Sequence, residues 1–130
     1  MARAPLSRLF RRRASVSPAN KVFGLLGLAR RAGGVAPGTE AVRQAIRDDK
    51  ARLVLLAADA SSAQIGKVRR TLAGRPEVPH AVVGDRGALG AALGLAPVTA
   101  VAVTHAAIAE KMRAELEGSG SVLVAACVEG

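Results

Sequence analysis

The chain has 130 residues, 19 of them Lys or Arg against 10 Asp or Glu, for a formal net charge of +9. That length holds one domain, and a hydrophobic content of 50% excludes disorder throughout. Phe10 and Phe23 are too few aromatics for modules that stack bases on rings, and one cysteine, Cys127, with two histidines makes neither an internal disulfide nor an all-Cys/His structural zinc site.

The first segment is basic. Residues 1–31 carry Arg3, Arg8, Arg11, Arg12, Arg13, Lys21, Arg30 and Arg31 and no acid, whereas the rest of the chain is almost neutral. A polybasic arm on a neutral body implies a polyanion partner, and on charge alone RNA, DNA and an anionic membrane surface all qualify. We expect residues 1–19 to form a flexible arm. Its arginines, its serines and its lack of acids suit an RNA-contacting arm and a mitochondrial or plastid transit peptide equally.

After the arm the pattern alternates between helical and strand periods. Asn20 is placed to cap a helix with an apolar stripe of Val22, Leu25, Leu26 and Ala29, ended by Gly33-Gly34. Pro37-Gly38-Thr39 opens a second helix to about Arg47, and Leu53–Ala57 is an apolar run suited to a buried strand. A third helix follows Asp59 or Ser61 with Ile65, Val68 and Leu72 inward, and Val78–Val83 is the next strand. Asp85 is expected to cap a short helix bearing Leu89 and Leu93, Val98–Val103 to form a strand, and Thr104 to cap a helix bearing Ile108, Met112 and Leu116.

Residues Gly87 to Ala109 carry no formal charge but are rich in Ala and Gly and broken by Pro97, so they read as helix, loop and strand, not as a membrane span. Gly118–Ser121 reads as a joint and Val122–Val128 as an apolar tail, either an added edge strand or the cover of a partner. Strands separated by helices give an α/β fold class. We expect a three-layer α/β/α sandwich with a small mixed central sheet over residues 20–117, flanked by the arm and by a tail at 118–130.

Chemistry-bearing patterns are sparse. His80 falls in a strand and His105 at a helix start, neither in a catalytic spacing with Cys, Ser or acid, and Cys127 sits in an apolar run. The glycine-rich stretches match neither a P-loop nor a dinucleotide fingerprint. The segment from Arg30 to Arg43 is richer: two arginines, then glycine turns leading into a helix start. Backbone N–H groups at such a start bind phosphate or base acceptors, and glycines permit close approach. Glu40 is suited to accept from guanine N–H donors, with Arg43 or Gln44 one turn on, although a capped helix with a solvated face would show the same residues.

The order of blocks also resembles a known family. Leu25-Leu26-Gly27-Leu28-Ala29-Arg30-Arg31-Ala32-Gly33, Gly38-Thr39-Glu40, Ala45-Ile46-Arg47, Leu53 through Ser61, Val78-Pro79, Leu89 through Gly94 and Val101-Ala102-Val103-Thr104 follow one another as in the kink-turn RNA-binding superfamily of ribosomal proteins. Within it the chain looks similar to the small bacterial YlxQ/YbxF-type members. The resemblance spans about residues 20 to 117. It implies an α/β/α sandwich without enzymatic activity that binds a sharply bent RNA held by sheared G·A pairs. On that likeness Gly38, Thr39 and Glu40 would enter the groove at the bend and Leu95, Ala96, Pro97 and Val98 would cover an extruded nucleotide. Arg86 would reach the backbone, and Arg30, Arg31 and Arg43 would supply cations. In a gapless register the family's Gly-Thr-Asn-Glu-x-x-Lys becomes Gly38-Thr39-Glu40-Ala41-Val42-Arg43-Gln44, so the acid moves and Gln44 holds the lysine position.

The expectation is therefore a structured-RNA-binding, ribosomal or ribosome-associated protein, with no cofactor, metal, small-molecule substrate or membrane. Its partners would be ribosomal or another kink-turn RNA, and ribosomal proteins beside it. Its place would be the cytoplasm, or an organelle matrix if residues 1–20 are a transit peptide. The competing class is a protein-interaction module on the same fold with weak electrostatic RNA binding.

Overall fold

A computed structural model of the chain describes residues 18–118. The elements are α1 (Pro18–Arg31), β1 (Val35–Pro37), α2 (Thr39–Arg47), β2 (Leu53–Leu56), α3 (Ser62–Ala73), β3 (His80–Val82), α4 (Arg86–Leu93), β4 (Ala100–Val103) and α5 (Ala106–Gly118). Their sheet order is β1-β4-β2-β3. β4 runs antiparallel to both β1 and β2, while β2 and β3 are parallel, joined over one face by α3.

Both central strands are buried along their whole length, as a sheet covered on two sides requires. Alternate residues go to opposite faces. Leu53, Leu55, Val101 and Val103 pack with Val22, Leu26 and Ala29 of α1, Leu89 and Leu93 of α4, and Ile108, Met112 and Leu116 of α5. Val54, Leu56, Ala100 and Ala102 pack with Val42, Ala45 and Ile46 of α2 and Val68 and Leu72 of α3. The chain is thus the three-layer α/β/α sandwich with a small mixed sheet that the sequence suggests. Each buried Leu or Val is worth roughly 1.5–3 kcal/mol of transfer free energy. Among the described residues no helix is long and apolar enough to cross a membrane.

Several boundaries differ from the sequence reading, each for a physical reason. α1 begins at Pro18, a residue suited to a first helical position, so Asn20 lies inside the helix and is not its cap. β1 was not anticipated. It is three residues long and contains Pro37, which an edge strand tolerates because one side needs no N–H. Thr104 does not cap α5, because the helix starts at Ala106 and Thr104 stands one residue ahead of the cap position, its N–H donating to the Gly34 carbonyl at 2.7 Å beyond the end of the β4–β1 pairing. The cap moves to His105, whose Nδ1 accepts from the Ile108 N–H at 3.3 Å. Val98 is bonded to Arg86 and stands outside β4. Most of the expected arm and the apolar tail lie outside the described residues, while Gly118, expected as part of a joint, ends α5.

Candidate nucleic-acid interface

At one end of the sheet, β1, β2 and β3 finish and β4 begins, and the helices that follow the first three all start there. The pairing fixes this: Pro37 is level with Val101, and Leu56 with both Ala100 and Val82. The N-termini of α2, α3 and α4 therefore face the same way, as the β-to-helix connections of an α/β sheet bring about.

Their first turns are treated differently. Ser61 Oγ accepts from Gln64 N–H at 3.2 Å at the start of α3, and Asp85 Oδ1 from Ala88 N–H at 2.8 Å at the start of α4. The start of α2 has no side-chain cap. Gly38 stands there with φ 98° and ψ 153°, its N–H given to the Ala100 carbonyl at 2.8 Å. That φ is left-handed territory, which favours glycine, and nothing lies within 4 Å of the place a Cβ would occupy. The α2 start is thus open to an incoming acceptor, with Thr39 and Glu40 beside it.

Arg86 and the loop after α4 flank this opening. The Arg86 N–H donates to Asp59 Oδ1 at 2.8 Å, and its Nε lies 3.5 Å from Asp59 Oδ2, with both side chains about half exposed. This clasp holds the Asp59 carboxyl below its ordinary range, chiefly through the Arg86 backbone N–H. The Leu95–Val98 loop is tied at both ends, Leu95 N–H to the Gly90 carbonyl at 2.8 Å and Val98 N–H to the Arg86 carbonyl at 3.1 Å. Between the ties it lies on α4 so closely that a Cβ at Gly90 would run into the Ala96 carbonyl. Leu95, Ala96 and Pro97 are exposed, an apolar lip with Val98 half-buried behind it.

Other residues singled out in the sequence are placed less directly. Arg43 is drawn down between helices, its Nε donating to Thr71 Oγ1 at 3.1 Å and its Nη1 to Glu40 Oε2 at 3.0 Å. Gln44 is turned along α2, donating to Asp48 Oδ1 at 2.9 Å and accepting from Arg47 at 3.4 Å. Arg30 and Arg31 belong to the other end of β1. Arg30 donates to the carbonyl of Leu93 at the end of α4, so it ties two helices together, and Arg31 is exposed. The structure therefore gathers Gly38, Thr39, Glu40, Arg86 and Val98 at one end, with Leu95–Pro97 running back along α4 towards them, and places Arg30 at the far end of α4 beside Leu93.

Sequence reasoning did not assign Asp59 and Gly90 to this site. The signal for Asp59 was present, an acid three residues after the end of a buried strand, but its partner Arg86 lies 27 residues away. Among the described residues no group of three or more His, Cys, Asp or Glu is arranged to hold a metal ion.

Comparison with known proteins places the chain among relatives. Residues 20–113 match the family described as ribosomal protein L7Ae/L30e/S12e/Gadd45. The chain is 41% identical over 90 residues to the RNA-binding protein YlxQ of Bacillus subtilis, covering 69% of this chain and 89% of that protein. A solved protein of unknown function from Bacillus halodurans superposes with a TM-score of 0.69 at 32% identity, covering 75% of this chain and 97% of that one. A 15.5 kD RNA-binding protein of Giardia lamblia superposes with a TM-score of 0.65 at 20% identity, a likeness of fold, covering 79% of this chain and 88% of that one.

Proposed function

The chain belongs to the ribosomal protein L7Ae/L30e/S12e/Gadd45 family, and we propose that it is a non-enzymatic domain that binds structured RNA of the kink-turn type. The RNA is ribosomal or ribosome-associated, and the protein works in the cytoplasm. The observation that carries this reading is the uncapped start of α2 at Gly38-Thr39-Glu40, set on the same end as Arg86 and Val98, where the 95–98 lip finishes. An RNA bent at an internal loop crowds its phosphates and exposes base edges in a widened groove. A protein preferring that shape must offer N–H donors, a polar reader and a cation together. The α2 start offers the donors, Glu40 the acceptor for guanine N–H groups, and Arg86 the phosphate contact. The lip offers an apolar surface for a base turned out of its stack.

A second reading has one observation in its favour. Glu40 is already paired with Arg43, and Gln44 with Asp48 and Arg47, so the α2 face is internally satisfied before any RNA arrives. That pairing weighs against base reading by Glu40 and Gln44, and so favours the alternative of a protein-interaction role for the same fold. The deciding experiment is equilibrium binding to an RNA with tandem G·A pairs in an internal loop and to the same RNA with the loop closed by Watson–Crick pairs. The RNA-shape reading requires tighter binding to the looped RNA. Equal, salt-sensitive binding to both favours the protein-interaction role.

A further inference from the structure

α2 and α3 lie side by side in one layer and run the same way, since each starts at the same end of the sheet. One chain of bonds sets their relative level. Arg43 Nε donates to Thr71 Oγ1 at 3.1 Å, and that hydroxyl donates to the Lys67 carbonyl at 3.1 Å. One turn nearer the helix starts, Glu40 precedes Arg43 by about 4.5 Å along α2, and Lys67 precedes Thr71 by about 6 Å along α3. Lys67 is therefore level with the first turn of α2, on the flank of its uncapped start.

Residues 60–76 hold Lys67, Arg69, Arg70 and Arg75 and no acid. Arg75 is committed to the end of α2, donating to the carbonyls of Ile46 and Arg47 and meeting Asp49 at 3.3 Å. Arg69 lies towards β3, where its charge bears on His80. Lys67 and Arg70 pair with no carboxylate among the described residues. Glu40, the α2 acid at their level, is held by Arg43 at 3.0 Å. Arg70 is exposed, and its guanidinium lies back over Gly66, where a Cβ would stand 3.5 Å from Nη1. Its charge is thus carried one turn towards the start of α3, the end that holds the RNA site. Three residues apart, Lys67 and Arg70 are neighbours on the helix surface and can reach the backbone of one strand.

We propose that Lys67 and Arg70 bind phosphates of the RNA stem that leaves the α2 start across α3. The proposal rests on the RNA reading above and gives the site a second phosphate contact. That contact stands in the α2/α3 layer, whereas Arg86 opens α4 in the other layer. Two unpaired cations continuous with the site complement a polyanion, and such contacts position an RNA through its backbone.

The test compares the full chain with its K67Q/R70Q and K50Q/K111Q variants. The RNA is looped, with both stems long or with either stem cut short. Glutamine keeps helix propensity, and the K50Q/K111Q chain loses equal charge from the opposite end of the sheet and from α5. K67Q/R70Q should bind the long-stemmed RNA about tenfold more weakly, with a salt slope shallower by about two, while K50Q/K111Q stays within about twofold of wild type. Cutting one stem should abolish the difference between K67Q/R70Q and wild type, and cutting the other should preserve it. Equal affinities and slopes for the two variants, or a loss that survives either cut, overturn the proposal. A wild-type chain that binds looped RNA no tighter than an uninterrupted duplex overturns the RNA-shape reading itself, and this extension with it.

Discussion

Asp59 holds Arg86 by two bonds, one to its backbone and one to its guanidinium, and so joins the loop after β2 to the first turn of α4. The backbone bond orders the helix start, while the guanidinium remains about half exposed and faces outward from a fixed base. A cation positioned this way loses little freedom when it meets a phosphate.

Replacing Asp59 by Ala should loosen that base without emptying the core. The expected outcome is faster amide exchange at Arg86 and several-fold weaker RNA binding. Amide exchange followed by NMR, alongside a binding titration, checks both; unchanged exchange at Arg86 would show the clasp to be dispensable. Because the folded-state carboxyl of Asp59 lies below its ordinary value of 3.8, its contribution is fully present above that pH and fades as pH falls through the lower folded value.

His80 gives a separate pH signature. Burial pushes its imidazole below the ordinary value of 6.5, the nearby Val78 backbone opposes this, and the Arg69 guanidinium acts with burial. The neutral ring is the form the fold accommodates. Stability due to His80 is therefore full above pH 6.5 and lost as pH falls through the lower folded value. Thermal unfolding between pH 7 and pH 5 should show a decline that His80→Gln flattens.

Two glycine-to-alanine changes should act with opposite sign. At Gly90 the added carbon collides with the backbone of Ala96, so the 95–98 lip must shift, costing roughly 1–3 kcal/mol and weakening RNA binding. At Gly24, inside α1, nothing lies within 4 Å of the new carbon, and helix propensity alone should add about 0.5–1 kcal/mol. Denaturant unfolding of the two variants measures both signs.

Glu40→Ala should lower the preference for looped RNA over duplex RNA while leaving duplex binding almost unchanged, because a base reader carries discrimination and not bulk affinity. It also frees Arg43 from its ion pair, which works against any general loss of affinity. Affinities for the two RNAs, measured at the same salt concentration, separate these effects. An equal loss on both removes Glu40 from base reading.

The sandwich was legible because its signals are local. The apolar runs of β2 and β4, the Asp85 cap and the helical stripes each declare themselves within a few residues, while the cap of α3, open in sequence between Asp59 and Ser61, is Ser61. What escaped depends on distant partners. β1 is only three residues long and exists through its pairing with β4, more than sixty positions later. Thr104 reads as a helix cap, yet the helix starts at Ala106 and the Thr104 N–H goes to the Gly34 carbonyl. The site was half legible for the same reason. Its glycine-led helix start is a contiguous motif, whereas the Asp59–Arg86 clasp and the Gly90–Ala96 contact are made by folding. The two arginines at the end of α1 look alike in sequence, yet Arg30 is committed to Leu93 and Arg31 is not. Arg30→Ala should accordingly lower stability by about 1 kcal/mol with little effect on RNA binding.

The most direct test of the proposed interface is an NMR titration of the full chain with looped RNA, following backbone amides. The account predicts the largest shifts at Thr39, Glu40, Arg86 and the Leu95–Val98 loop, excluding Pro97, which has no amide proton. Shifts concentrated instead at the opposite end of the sheet, around Lys50, Arg52 and His105, would contradict it.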